Sequence, residues 1–336
     1  MKRILIVGAG GFLGSHLLEK AVAMPDLEVY AGIRGSTSTA WFPKSGVTAV
    51  HFDFEDSADV EKVLTTTLPE GEKWDWIIYN LGATKCLRYK DFDHINHDLL
   101  RTFTEALERT GMMPEKFLYI SSLSAMGPGE ARTYTPFNES MIPQPNTRYG
   151  ASKLKAEMLL QMHSVPYIIF RCTGIYGPRD RDYFLMFDAM RKGFDFSVGF
   201  RKQLLTFIYA PDLADAAFMA LEKAPVKEIY NIAEPRAYSQ AEFRKIVASE
   251  LGKKVIIPVK VPLWGTKAVS WICEKIGVVR GRPATLNTDK YNIMKQRNWS
   301  ADTRKAQKAF GFTASTPLAK GVAESIDWYR KEGWMK

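Results

Sequence analysis

The chain has 336 residues, of which 46% are hydrophobic and 25% charged, and these ordinary globular values exclude a disordered or fibrous protein. Its net charge of +9 is spread along the chain without a basic and aromatic motif, so we expect local anion sites and no nucleic-acid partner. Cys86, Cys172 and Cys273 stand far apart, which argues against a disulfide framework or thiolate metal site and fits a cytoplasmic protein.

Short apolar runs alternate with helical segments over the first two thirds of the chain, a pattern that predicts a parallel sheet covered on both faces. The predicted strands are RILIVG, LEVYAGI, VTAVHFD, WDWIIYNLG, KFLYISS and PYIIFR. The predicted helices include GSHLLEKAVAM, SADVEKVLTTT and NHDLLRTFTEALERTG, the last ended by Gly111. The predicted fold class is therefore α/β, with a Rossmann-type, doubly wound sheet.

The order of elements becomes less regular after Arg171. We expect a dinucleotide-binding domain over residues 1–173, with a returning piece near 204–235, and a smaller, mostly helical, discontinuous substrate-binding region within 174–336. The segment VPLWGTKAVSWICEKIGVV is the most apolar of this region, but Lys267, Glu274 and Lys275 interrupt it. It predicts a lid helix with an apolar face, and no membrane span is expected.

The segment VGAGGFLG follows the first strand and opens the first helix, with glycines at Gly8, Gly11 and Gly14. Such glycines let the backbone turn tightly and approach a pyrophosphate, while the helix N-terminus offers N–H donors. We therefore predict a dinucleotide site that includes Phe12 and Leu13. The spacing G-x-x-G-x-x-G differs from the common G-x-G-x-x-G fingerprint.

The end of the second strand predicts which dinucleotide binds. NAD sites usually carry an Asp or Glu about 20 residues after the turn, whereas an Arg accommodates the 2′-phosphate of NADP. Here the strand ends at Arg34, followed by Ser36 and Thr37, without a carboxylate. Arg34 with these hydroxyls can bind a phosphate by charge-assisted hydrogen bonds, so we predict a preference for NADP(H), with NAD(H) as the alternative.

The segment YGASK places Tyr149 one helical turn before Lys153. Residues four apart share a helix face, and a nearby ammonium lowers the pKa of a phenol from its usual value of about 10. Tyr149 is therefore a candidate proton donor or acceptor. The same spacing recurs in YNIMK, Tyr291 to Lys295, but no strand with a serine precedes it and we assign that pair a structural role.

These motifs resemble the extended short-chain dehydrogenase/reductase family, which includes NAD(P)-dependent epimerases and dehydratases, over nearly the whole chain. The matching segments are GAGGFLG, DFED, NLGAT, INHDLLRTFTEAL, ISSLSAMG and YGASK. The resemblance implies catalysis by Ser122, with its neighbours Ser121 and Ser124 as alternatives, together with Tyr149 and Lys153. It also implies that Asn96 helps to hold the helix and a water near the lysine. It also implies cofactor contacts from Asp53 at the adenine, and from Phe54, Leu81, Gly82, Ala83, Tyr149, Lys153 and Cys172.

Three functions are compatible with this resemblance. The first is reversible hydride transfer between NADP(H) and a carbonyl or secondary alcohol of a small molecule. Gly174 in TGIYGP favours it, because many sugar-nucleotide members carry an Asn there, whereas the segment is similar to the hydroxysteroid dehydrogenase and dihydroflavonol reductase branches. The alternatives are a nucleotide-sugar epimerase or dehydratase, and a non-catalytic NADP-binding sensor.

Two further expectations concern partners. His94 and His97 in DHINH have no further ligands in view, so no metal site is predicted. The family resemblance also implies a homodimer formed by the helices that contain Asn96 and Tyr149.

Overall fold

The computed structural model describes residues 1–335. The strands are β1 Lys2–Val7, β2 Leu27–Ile33, β3 Val47–His51, β4 Trp76–Tyr79, β5 Lys116–Ser122, β6 Tyr167–Cys172, β7 Gly174–Tyr176, β8 Phe194–Val198, β9 Leu204–Leu205, β10 Phe207–Tyr209, β11 Glu228–Ile232, β12 Tyr238–Ser239, β13 Ile257–Val261 and β14 Asn298–Trp299. The helices are α1 Phe12–Val22, α2 Ser57–Thr66, α3 Lys90–Asp93, α4 Leu99–Thr110, α5 Arg148–Met162, α6 Arg181–Arg191, α7 Ala210–Lys223, α8 Gln240–Glu250, α9 Leu263–Val279, α10 Thr288–Met294, α11 Arg304–Phe310 and α12 Leu318–Lys331.

The large sheet has the strand order β11-β6-β5-β4-β1-β2-β3, and each neighbouring pair is parallel. One face packs on α1, α7 and α11, and the other on α2, α4 and α5. Burial on both faces explains why the strands read as near-continuous apolar runs. The sheet confirms the predicted doubly wound α/β fold, and its order 3-2-1-4-5-6 is the Rossmann order with β11 added at one edge.

The C-terminal region forms its own apolar cluster, in which α6, α8 and α12 pack through Phe187, Phe243 and Tyr329. This region is less purely helical than expected, because it also contains small sheets, β13–β8 and β12–β9–β14, while β10 pairs with β7. Strands of two to five residues carry too few side chains for an alternating pattern to be visible. Because β11 rejoins the large sheet, we propose the discontinuous domain division expected from the sequence.

Two local features lead the chain toward the site. Helix α4 ends at Gly111, whose φ of +67 is the left-handed conformation that glycine adopts readily, as predicted. It is preceded by a single π-helical turn, His94–Asp98, which contains Asn96. Turns of this kind are rare in proteins as a whole, and those that occur are often found at functional sites.

No helix within residues 1–335 has the length and apolarity needed to cross a bilayer.

Candidate active site

The glycine turn between β1 and α1 requires glycine at two of the three predicted positions. Gly8 has a φ of +79, and a Cβ there would lie 2.7 Å from the backbone nitrogen of Leu81. A Cβ at Gly14 would lie 2.4 Å from the carbonyl oxygen of Gly8, so only glycine lets α1 approach the turn this closely. These two glycines are explained by packing within the protein.

Gly11 differs, because a Cβ there would meet only the Gly8 oxygen at 3.4 Å, an ordinary contact. It is the N-cap residue of α1 and has no side chain to cap the free N–H groups of the first turn. The side chain of Leu13 lies in the core, and Phe12 packs edge-on against His16. The turn therefore offers backbone N–H groups and the helix dipole to an anion, as a pyrophosphate site requires.

Arg34 follows β2 at the same edge of the sheet, since Val7 and Gly32 are paired in the parallel register. Its side chain and that of Ser36 are exposed. Thr37 is used differently from the prediction: its hydroxyl accepts the Arg34 backbone N–H at 3.2 Å, and its methyl lies over Gly10. Arg34 and Ser36 are thus the groups of this loop that remain open to a phosphate.

The segment after β3 separates two residues that were predicted to contact the cofactor. Asp53 is exposed, and its carboxylate accepts the Glu55 N–H at 3.1 Å. Phe54 is buried and stacks on Phe52 with ring centroids 5.1 Å apart. The side chain of Phe54 is therefore a core group, because the segment turns inward after Asp53, and the cofactor contact of this residue stays a prediction.

The strand end after β4 is held by Asn96. The side-chain oxygen of Asn96 accepts the Ala83 N–H at 2.8 Å, and its amide donates to the Ala83 carbonyl at 3.1 Å and to Ser152 at 2.9 Å. Gly82 leaves room for this arrangement, since a Cβ there would lie 3.1 Å from the Lys153 amine. Leu81 packs against the core. Asn96 therefore links the strand end to α5.

Ser122 and Tyr149 come together where β5 ends and α5 begins. Thr147 caps α5, and Gly150 lets the helix approach closely, because a Cβ there would lie 2.2 Å from the Ser124 carbonyl oxygen. Burial raises the pKa of Tyr149 to about 12, while its hydrogen bond with Ser122 lowers that pKa in part. Tyr149 is thus a neutral proton donor at physiological pH.

Lys153 does not act on Tyr149 as predicted. Its amine donates to the Ile120 carbonyl at 2.9 Å and to the Tyr119 hydroxyl at 3.2 Å. Burial lowers the pKa of Lys153 to about 8. The expected lowering of the Tyr149 pKa is therefore wrong for this structure, because burial of the phenol dominates and the ammonium is directed to β5.

Cys172 lies in the same buried region, at the end of β6. Burial raises the pKa of its thiol to about 12, and the nearby Lys153 charge lowers that pKa in part. Beneath it, Glu157 and Arg171 form a buried ion pair with contacts of 2.6–3.2 Å, and Ser121 donates to Glu157 at 2.5 Å. Sequence reasoning missed this pair, although Glu157 lies one helical turn after Lys153 on the same face.

The C-terminal region contributes groups that the sequence did not indicate. Asp289 of α10 is buried, and its carboxylate accepts the N–H groups of Arg148 at 2.7 Å and Tyr149 at 3.0 Å. The ring of Phe92 lies 6.2 Å from that of Tyr149. A cavity of about 260 Å³ opens beside Phe92, and its lining consists of Cys86, Leu87, Arg88, Tyr89, Phe92, Glu274, Pro283, Ala284 and Asn287.

The remaining candidates have structural surroundings. His94 contacts Glu55 at 2.9 Å, and the described residues contain no group that could hold a metal ion. The Lys295 amine lies 5.2 Å from the ring centre of Tyr291, which is a cation–π contact within the protein.

Comparison with known proteins identifies the family to which the chain belongs. The family model described as "NAD dependent epimerase/dehydratase family" matches residues 4–233. The chain is similar to the dTDP-D-glucose 4,6-dehydratase of Mus musculus, at 25% identity over 98% of this chain and 89% of the relative. It is also similar to the ceramide reductase of Caulobacter vibrioides, at 23% identity over 99% of this chain and 96% of the relative.

A solved structure confirms the fold. The dTDP-glucose 4,6-dehydratase of Bacillus anthracis in complex with NAD matches with a TM-score of 0.77 at 18% identity, covering 100% of this chain and 99% of that one. The expected resemblance to extended short-chain dehydrogenases is confirmed by the family match.

Proposed function

Because the chain belongs to the NAD dependent epimerase/dehydratase family and is a nicotinamide-dependent enzyme, we propose that it transfers hydride reversibly between NADP(H) and a carbonyl or secondary alcohol of a small molecule. The observation that supports this proposal is the position of the neutral Tyr149 phenol beside Ser122, at the carboxyl end of a parallel sheet whose first strand leads into the glycine turn. A neutral phenol is suited to protonating an alkoxide as it forms.

Each residue has a defined task in this reaction. The bound cofactor supplies the hydride. Ser122 donates a hydrogen bond to the substrate oxygen, and Tyr149 gives it a proton during reduction or accepts one during oxidation. Lys153, buried near the end of β5, contributes positive charge to the same region, and in this proposal it binds the ribose hydroxyls. Asn96 orients the Ala83 backbone beside it.

The proposed preference for NADP(H) rests on the exposed Arg34 and Ser36, because no carboxylate follows β2 to bind the ribose hydroxyls. Arg34→Ala should weaken NADPH binding by about 1.5–3 kcal/mol, the usual contribution of a charge-assisted hydrogen bond, and leave NADH binding nearly unchanged. Fluorescence titration with both cofactors measures this, and an unchanged ratio of the two affinities would refute it.

The residues around Ser122 favour simple redox chemistry over dehydration. Eliminating water from a sugar requires a second acid and base, yet β5 ends at Ser122 and the short 3₁₀ turn that follows, Leu123–Ala125, carries no carboxylate. The Tyr183 hydroxyl also fills the space beside Gly174, where a Cβ would lie 2.2 Å from it. The similarity to a ceramide reductase supports a carbonyl substrate that carries an apolar chain.

Nucleotide-sugar epimerisation or dehydration is the second candidate. The family description and the similarity to a dTDP-D-glucose 4,6-dehydratase favour it over the first. Epimerisation needs only Tyr149 and a cofactor that stays bound through both half-reactions. This candidate therefore predicts that the purified protein retains NAD that does not exchange, and that it causes no net oxidation of NADPH.

The deciding experiment has two assays, each run with the wild type and with Tyr149→Phe as the control. The first follows the oxidation of NADPH by its absorbance in the presence of long-chain ketones. The second follows the conversion of nucleotide sugars by chromatography. Net NADPH oxidation with a ketone, lost in Tyr149→Phe, supports the first candidate. Conversion of a nucleotide sugar without net oxidation overturns it. NADPH binding with neither reaction would favour the sensor.

We also propose a homodimer, since α5 exposes Met158 and Met162 on its outer face. Light scattering of the purified chain would give a monomer mass if this is wrong. A cytoplasmic location is proposed with it, because the three cysteines are free.

A further inference from the structure

Helix α9 has its apolar side chains on the outside. The residues that it turns toward the protein are small or polar, and Thr266, Ser270 and Gly277 are buried. The side chains that face solvent include Trp264, which is 76% exposed, Trp271, which is 57% exposed, Ile272, Ile276 and Val279. A helix on the surface of a globular protein normally shows the reverse arrangement, with its apolar stripe against the core.

The neighbouring β8–β13 sheet is arranged in the same way. Asp195 is buried and pairs with Arg244 at 3.0 Å, whereas the rings of Phe194 and Phe196 are exposed on the other face. The parallel register places Ile257 beside Phe194, and Ile257 is exposed as well. Polar side chains such as Asp195 and Ser270 therefore face inward, and large apolar side chains face outward, in both elements.

The two apolar faces form one surface, which we call the α9 patch and define as the exposed apolar side chains of β8, β13 and α9. Only Pro262 separates β13 from α9. The Leu263 side chain lies 3.5 Å from the position of a Cβ at Gly199, and the exposed Phe200 follows directly. Single exposed apolar residues are ordinary, but a contiguous patch of this kind marks an interaction surface.

The charges around the α9 patch indicate its partner. Residues 253–282 contain seven Lys or Arg and one acid, a net +6 of the +9 carried by the whole chain. That acid, Glu274, is engaged with the Tyr89 hydroxyl at 2.7 Å and the Thr288 N–H at 2.9 Å. The exposed charges of the segment, including Lys267 and Lys275 on α9 itself, are thus all positive.

We infer that the α9 patch docks the protein on the surface of an anionic lipid bilayer. Tryptophan and aliphatic side chains enter the boundary between headgroups and acyl chains, while flanking lysines and arginines attract anionic headgroups. A second copy of the chain fits less well, because two patches of the same strong positive charge would face each other. Helix α9 lies in the plane of the bilayer surface, since it is too short and charged to cross it.

The docking would also place the cavity at the bilayer. Glu274 of α9 lines the cavity beside Phe92, whose ring contacts Tyr149. An apolar substrate could then reach Tyr149 from the membrane without passing through water. The docking itself does not rest on the proposed function, because vesicle binding can be measured without turnover.

The test is co-sedimentation of the full chain with vesicles of phosphatidylcholine, alone or mixed with phosphatidylglycerol. We expect binding to the mixed vesicles to be at least roughly tenfold tighter than to phosphatidylcholine alone and to weaken with added salt. Trp264→Ser with Trp271→Ser should remove this binding. The control pair, Ile142→Ser with Val226→Ser, changes exposed apolar residues elsewhere on the surface and should leave it intact.

A second pair keeps the test independent of the tryptophans. Lys267→Glu with Lys275→Glu retains the apolar face and should abolish the preference for anionic vesicles, while NADPH binding reports that the fold is intact. Failure of the wild-type chain to sediment with mixed vesicles would overturn the inference. So would equal loss of binding in both serine pairs, or a dimer that dissociates in the tryptophan pair without any vesicle binding.

Discussion

Lys153 holds a charge where the protein disfavours it, and this can be measured as a pH dependence of stability. Burial lowers its pKa from the usual 10.5 to about 8 in the folded protein. Because each pKa unit corresponds to about 1.4 kcal/mol, keeping the ammonium charged costs about 3 kcal/mol at neutral pH. Lys153→Met removes this cost.

The sign of the pH dependence follows from proton counts. Below pH 8 the lysine is charged in both the folded and the unfolded chain, so the full cost is present. Between pH 8 and 10.5 the folded chain loses the proton first, and the cost disappears. The stability of the wild type relative to Lys153→Met should therefore rise by about 2 kcal/mol between pH 7.5 and 9.5.

Urea unfolding of the cofactor-free proteins at these two pH values measures the difference. Lys153→Met also leaves the Ile120 carbonyl without its amine donor, but this loss is the same at both pH values and cancels in the comparison. Lys155→Met is the matched control, since Lys155 lies on the same helix with its side chain 53% exposed and paired with Asp93. The prediction is refuted if the difference in unfolding free energy between the wild type and Lys153→Met is the same at both pH values.

Three further predictions concern the same site. Tyr149→Phe should reduce turnover by about 10²–10⁴-fold, the usual contribution of a general acid, and leave the NADPH dissociation constant unchanged. Equal turnover by the wild type and Tyr149→Phe would show that Tyr149 is not the proton donor. Glu157→Gln should lower the free energy of unfolding in urea by about 3–5 kcal/mol, because Arg171 is left buried without a counter-charge. Adding Arg171→Met should restore much of the lost stability. Asp289→Ala should lower kcat and cost about 1 kcal/mol of stability, because it removes the carboxylate that caps α5. Asp289→Asn should recover part of the lost kcat and of the lost stability. A normal kcat in Asp289→Ala would show that the cap does not position Tyr149.

The large sheet could be predicted from sequence because its strands are buried on both faces and therefore read as apolar runs between helices. The residues at its carboxyl edge follow from that, since parallel strands bring Gly8, Ala83 and Ser122 to one side. The glycine turn adds a local constraint that the sequence shows directly. This part of the site needed no knowledge of tertiary contacts.

Other features depend on contacts that spacing along a helix does not determine. Lys153 shares a helix face with Tyr149, but its amine is drawn to a β5 carbonyl, so the expected effect on the phenol pKa was wrong. The spacing also did not show that the Phe54 ring packs in the core against Phe52. Asp289 lies about 140 residues from the helix that it caps, and such a contact leaves no local signal.

The return of β11 to the sheet has a consequence for how the chain is made. Strand β6 follows its partner β5 in the chain, but the partner of its other edge, Glu228–Ile232, is synthesised about 55 residues later. An unpaired edge on an apolar strand is a template for aggregation. A nascent chain or a fragment that ends before residue 233 therefore exposes this edge, whereas one that extends past it closes the sheet.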